Sequence, residues 1–156
     1  MKRTPAIMLL SILIICCSFL TAAAADKTTQ KWPSVVDEVI AAVKNSITMV
    51  GMKEFDGILE SNAYDLIIDV REPYEFERGH VPGAINIPRG IIEFMIWEKV
   101  GFPDKTDLGK KIYIYCRTGN RTALAAATLK DLGFTNIYGV DMNFSKWRRF
   151  GYPTEK

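Results

Sequence analysis

Cys116 closes the apolar run Ile112-Tyr113-Ile114-Tyr115 and opens the segment Cys116-Arg117-Thr118-Gly119-Asn120-Arg121, after which a helical pattern begins. A thiol so placed is a candidate nucleophile. A parallel strand that feeds through a short loop into a helix turns backbone N–H groups, and the positive end of the helix dipole, toward whatever the loop encloses. Thiolate is the species such a site stabilises, and the fixed charges of Arg117 and Arg121 should favour it further and attract an anionic substrate.

Each residue also has a plainer reading. A free cysteine is often an inert core residue. Arg121 either touches substrate or holds the loop through a carboxylate, for which Asp69, at the end of a neighbouring apolar run, is the candidate partner. Arg71 fits a structural pair or rim position better than a catalytic one. His80 is the sole histidine and invites a general-base role.

Holding Cys116 at a strand end requires a sheet, and the pattern predicts one. Ser46 to Val50 is a short β-branched run, Met52 to Leu59 reads as helix, and Asp65 to Val70 is a continuous apolar strand of the kind buried on both faces. Pro73 to Arg78 is a short helix, Gly83 to Ile87 a strand, Arg89 to Lys99 a helix, and Lys111 to Tyr115 the strand that delivers Cys116. Arg121 to Leu132 is a helix ended by Gly133, and Asn136 to Val140 and Asn143 to Phe150 add a strand and a helix. Five such strands alternating with helices predict an α/β domain with a mostly parallel five-stranded sheet and helices on both faces. The ligand site should lie beyond the carboxyl ends of the strands. Phe94 and Trp97 are expected in the core or pocket wall.

Upstream, Trp32, Val35, Val36, Val39, Ile40 and Val43 recur at three- and four-residue spacing behind Pro33 and Ser34, with Asp37 completing a capping signal. This predicts an amphipathic helix whose apolar stripe packs on the domain or, alternatively, forms a dimer contact. With the polar leader from Asp26 it makes up residues 26–45, ahead of a main domain at 46–156. Residues 1–25 read as a cleaved secretory signal: Lys2 and Arg3, an apolar stretch from Ala6 to Leu20, then Thr21-Ala22-Ala23-Ala24-Ala25 before Asp26. The expected location is periplasmic or secreted, without stable membrane insertion. Ala6 to Ala25 could just span a bilayer, so a retained anchor is the alternative.

Cys16 and Cys17 would leave with the signal, and the single remaining cysteine excludes an intrachain disulfide. One Cys and one His assemble no zinc site, so no metal is expected. With 156 residues, 48% hydrophobic and 24% charged, the chain suits one globular domain. Removing Lys2 and Arg3 from 20 basic residues leaves 18 against 18 acidic, so a basic patch for nucleic acid is not indicated.

Three motifs carry a resemblance to a known family. Asp69-Val70-Arg71-Glu72, then Glu75-Phe76 and Gly79-His80-Val81-Pro82-Gly83-Ala84-Ile85-Asn86-Ile87-Pro88, resembles the first signature of rhodanese-like sulfurtransferases. The Cys116 to Arg121 loop is similar to the family's catalytic loop, and Trp147 with Gly151-Tyr152-Pro153 resembles its closing motif. The segment Gly139-Val140-Asp141-Met142 departs from the two adjacent glycines common before the closing helix.

The resemblance implies a rhodanese-like fold and a persulfide relay. Cys116 would take the sulfane sulfur of thiosulfate or polysulfide and hold it until cyanide or a thiol removes it, without a cofactor. Arg117 and Arg121 would bind the anionic donor, Gly119 would allow the tight turn, and Thr118, Asn120 and Thr122 would add loop amides or hydroxyls. Asp69 and Arg71 would support the loop, and His80 would belong to the turn of its motif. Phosphatases and arsenate reductases on related loops place five residues between cysteine and arginine. Four lie between Cys116 and Arg121, a smaller cradle suited to a single sulfur. A non-enzymatic persulfide carrier or interaction module is the other alternative.

Overall fold

The alternation of β4, Ile112–Tyr115, sorts the interior into two halves. Ile112, Ile114 and Cys116 face one cluster, while Tyr113 and Tyr115 face another, and all five are buried. The computed structural model in which this is seen describes residues 32–156, so the expected signal and polar leader lie outside the described residues.

The elements in chain order are α1 (Ser34–Ser46), β1 (Thr48–Gly51), α2 (Met52–Glu60), β2 (Leu66–Asp69), α3 (Pro73–Phe76) and β3 (Ile85–Asn86). A 3-10 turn at Arg89–Ile91 leads into α4 (Ile92–Lys99), followed by β4, α5 (Asn120–Asp131), β5 (Ile137–Asp141) and α6 (Phe144–Arg149). Five strands form one sheet in the order β1-β5-β4-β2-β3, and every pairing is parallel. The predicted class is therefore correct, with β3 reduced to two residues. Gly83, at φ +74°, and the Ala84 N–H to Val81 carbonyl bond hold its first predicted residues in a turn.

On one face α1, α4 and α5 cover Ile68, Val70, Ile112 and Ile114, with Ile92, Ile96, Ala123, Ala126 and Leu129 packed between. Alanines let α5 lie close to the sheet. On the other face Phe55 of α2 and Trp147 of α6 meet Ile67, Tyr113 and Tyr115. Phe55 and Trp147 have ring centroids 5.7 Å apart, and Trp147 stacks on Tyr152 at 4.4 Å, which brings the closing motif into the core. No described helix is long and apolar enough to cross a membrane.

Two expectations about apolar surface change. Trp97 packs against the core beside Phe134, but Phe94 is 78% exposed, because Ile92 and Ile96 take the inward face of α4 and Phe94 falls between them. On α1, Ile40 is buried and Val43 packs on the α5 side, whereas Val35, Val36 and Val39 remain exposed. A helix lying on another covers only part of a broad stripe.

Candidate active site

Parallel pairing carries β2, β4 and β5 to the same end of the sheet, where Cys116 follows β4 directly. The chain then turns through Gly119, at φ +82°, into α5. Gly119 directs its N–H at Cys116 Sγ, 3.2 Å away, and this is the hydrogen bond the sulfur receives among the described residues. A Cβ at Gly119 would stand 2.9 Å from Asp141 Oδ1 and 3.5 Å from Lys44 Nζ, so glycine meets both a left-handed conformation and a close approach. Lys44 Nζ and Asp141 Oδ1 are themselves 3.6 Å apart, which sets an α1 side chain against the back of the loop.

The loop residues divide by exposure. Arg117 and Thr118 face solvent, Asn120 and Arg121 are half-buried, and Cys116, Gly119 and Thr122 are buried. Cys116 has 0% exposure, so a reactant reaches its sulfur only when the side chains at the mouth part. The hydroxyl of Thr122 is buried without a hydrogen-bond partner among the described residues and makes no bond to the loop. The Arg117 carbonyl accepts from the Phe144 N–H at 3.0 Å, joining the loop to the start of α6. Asn143 caps that helix, its side chain accepting the Lys146 N–H.

The carboxylate expected to hold Arg121 is not Asp69. Asp69 accepts from Arg71, Nη2 to Oδ2 at 2.6 Å and Nε to Oδ2 at 2.8 Å, in a pair with side chains 0% and 4% exposed. Alternation along the strand explains it: Asp69 and Arg71 point to one face, while Arg121 rises from α5 on the other. Arg71 also donates to the Gly79 carbonyl at 2.8 Å and lies 3.9 Å from the centroid of Phe144. Burial opposes charge on this guanidinium, but the hydrogen bonds and charge of Asp69 prevail and raise its pKa. The reading of Arg71 as a structural pair therefore describes its geometry.

Arg121 is held by Glu75, Nη1 to Oε2 at 2.7 Å and Nη2 to Oε1 at 3.1 Å, with Glu72 Oε1 at 3.8 Å. Burial alone would raise the Glu75 pKa, yet the hydrogen bond and charge of Arg121 hold it below the usual carboxylate range. Conversely, Arg121 is raised despite burial, through Glu75 first and with a contribution from its nearness to Cys116. Arg121 thus keeps its positive charge near the loop while Glu75 holds its guanidinium.

Sequence reasoning passed over Glu75 as a partner, although Pro73 signals a helix start that puts Glu75 in its first turn, within a capping box with Glu72. It also passed over Tyr115 as a polar group. The Tyr115 hydroxyl accepts from the Val81 N–H at 3.0 Å, and burial pushes its pKa up. His80, assigned to the turn of its motif, lies just after that turn in an isolated antiparallel bridge to Glu155: its ring stacks on Phe76 at 3.6 Å, Nδ1 lies 3.2 Å from the Phe76 carbonyl, and Nε2 lies 3.4 Å from Glu155. No group of metal-ligating side chains occurs among the described residues.

A buried thiol cradled between the end of a central parallel strand and a helix N-terminus, with an anchored arginine beside it, defines a class of α/β proteins built around one cysteine loop. The chain belongs to the family of the rhodanese-like domain, whose model matches residues 52–150. It is 36% identical to the thiosulfate sulfurtransferase GlpE of Pseudomonas syringae over 90 residues, 58% of this chain and 77% of that protein. Among solved structures, it is similar to the polysulfide-sulfur transferase homodimer of Wolinella succinogenes, with TM-score 0.64 and 29% identity over 80% of this chain and 90% of that one. It is also similar to a Rhodopseudomonas palustris protein of unknown function named as a possible tyrosine phosphatase, with TM-score 0.67, 30% identity and coverage of 81% and 98%. The chain spans 52% and 59% of the length of two further curated relatives, both from Bacillus subtilis.

Proposed function

We propose that this protein moves a sulfane sulfur from thiosulfate or polysulfide to cyanide or a thiol through a persulfide on Cys116. The observation that carries the reading is the Gly119 N–H donated to Cys116 Sγ at the mouth of α5. That donor stabilises negative charge on the Cys116 sulfur both before attack and after the outer sulfur has passed to the acceptor. With thiosulfate, the Cys116 thiolate attacks the outer sulfur, the sulfur–sulfur bond breaks, and sulfite departs with the electron pair. Arg117, exposed next to Cys116 in the chain, meets the donor's charge, and Arg121, held by Glu75, adds a fixed positive charge. Four residues between Cys116 and Arg121, and the engagement of Arg121 by Glu75, leave a smaller cradle than a phosphoryl group requires.

Incubating the purified protein with thiosulfate and recording its intact mass tests this reading, with Cys116→Ser as control and thiocyanate measured after cyanide is added. The expected result is one added sulfur, absent in the variant and lost to cyanide. If neither thiosulfate nor polysulfide adds sulfur, the enzyme reading is wrong. A second reading, a persulfide carrier with slow small-molecule turnover, is favoured by the 0% exposure of Cys116. It would appear as stable charging with discharge only to a protein partner. The reading includes export to the periplasm or exterior, as the first 25 residues lead one to expect.

A further inference from the structure

The helix α1 lies ahead of the residues that match the family's model, 52–150, yet its last turn meets the Cys116 loop. Its second half is well anchored. Ile40 is buried, Val43 packs on the core, and Lys130 of α5 donates to the Ser46 carbonyl at 2.8 Å, at the helix end where a cation is favoured. Lys44, in the last turn of α1, is thereby placed beside Gly119, with Nζ 3.5 Å from the position a Cβ would take there.

Parallel register brings a carboxylate to the same spot. Gly139 of β5 pairs with Ile114 of β4, so two residues further along each strand Asp141 stands beside Cys116. Asp141 Oδ1 lies 2.9 Å from that same Cβ position. The Gly119 N–H in turn reaches Cys116 Sγ over 3.2 Å, so both charges lie within about 9 Å of the sulfur, shorter than the screening length of about 10 Å in about 0.1 M salt. An uncompensated carboxylate there would disfavour a thiolate or a persulfide anion on Cys116 and compete with it for the positive end of α5. Among the described residues the cation that faces Asp141 is Lys44, Nζ to Oδ1 at 3.6 Å. A pair with side chains 30% and 63% exposed adds little to the stability of the fold, so its place at the loop rather than its strength gives it a role.

We infer that Lys44 is a positioning residue for the sulfur chemistry: it neutralises Asp141 at the Gly119 turn and so leaves the Gly119 N–H and the positive end of α5 to the Cys116 sulfur. This deepens the persulfide reading of Cys116 and rests on it for its consequence in sulfur transfer. The carboxylate comes with the family's domain, whereas its cation comes from the helix added ahead of that domain. In this chain α1 is therefore a working part of the site as well as a cover for α5.

The test compares the full chain as wild type, Lys44→Gln, Lys44→Arg and the pair Lys44→Gln/Asp141→Asn. Alkylation of Cys116 by iodoacetamide at neutral pH is followed by the mass of its peptide, and sulfur uptake from thiosulfate by intact mass. Lys44→Gln should slow alkylation about fivefold at low salt, whereas Lys44→Arg, which keeps the charge, should stay within about twofold of wild type. Removing the carboxylate as well should restore the rate, because no charge is then left to compensate. Salt at about 0.5 M should shrink the Lys44→Gln deficit, which a merely loosened loop would not show. An unchanged Lys44→Gln rate, a double variant as slow as the single one, or a wild-type Cys116 that iodoacetamide leaves unmodified would overturn the role. Sulfur uptake should follow the same order of variants. If the alkylation order is found but neither thiosulfate nor polysulfide adds sulfur, the persulfide reading falls and the role of Lys44 at the thiolate stands.

Discussion

Arg71 and Arg121 stand on either side of the Cys116 loop and each grips a carboxylate, yet one pair belongs to the core and the other to the mouth. The Asp69–Arg71 pair is closed off from water, with the guanidinium also held by the Gly79 carbonyl and the Phe144 face. The Glu75–Arg121 pair is 13% and 31% exposed and spans two elements, α3 and α5. Burial makes the first pair unforgiving, because losing one partner strands a charge where water cannot reach it. Partial exposure leaves the second replaceable in stability terms while its charge still acts on the sulfur.

The comparison can be broken most directly at Asp69. Asp69→Ala should cost about 3–5 kcal/mol in urea unfolding, since it leaves Arg71 buried without its partner. On the same side of the sheet, Tyr115→Phe removes the acceptor of the buried Val81 N–H, and a loss of about 1–3 kcal/mol is expected in the same assay. Arg121→Ala should cost only about 1 kcal/mol while sharply reducing sulfur uptake by Cys116 measured by mass. If Arg121→Ala destabilised as much as Asp69→Ala, the distinction between core pair and mouth pair would fail.

The smallest effect concerns pH. Because Arg121 lowers the Glu75 pKa in the folded state, this pair contributes stability that is fully present above the unfolded carboxylate value of about 4.3. It is lost as pH falls through the lower folded value. Comparing unfolding midpoints of wild type and Glu75→Gln between neutral pH and pH 3 should show the wild-type advantage shrinking toward the acid end. A gap independent of pH would remove the electrostatic account of this pair.

Much of this arrangement was legible before any coordinates. The run Ile112 to Tyr115 and the glycine three residues beyond Cys116 announce a strand, a left-handed turn and a helix start, and all three are found. The partner of Arg121 was not legible, because Asp69 and Glu75 both lie in the first signature and only the side of the sheet separates them. The partner of Asp141 was equally hidden: Lys44 lies 97 positions earlier, and their meeting depends on where α1 comes to rest. Phe94 looked like a core residue by type and proved exposed by angle.

By itself the sequence determined the order of strands and helices, the parallel sheet, and the delivery of Cys116 to a strand end, because periodicity and turn chemistry act over a few residues. Only the tertiary structure decided which carboxylate meets which cation. Those outcomes join residues 46 positions apart in Arg121 and Glu75 and 97 in Lys44 and Asp141, and side-chain charge is balanced by neighbours in space rather than in the chain.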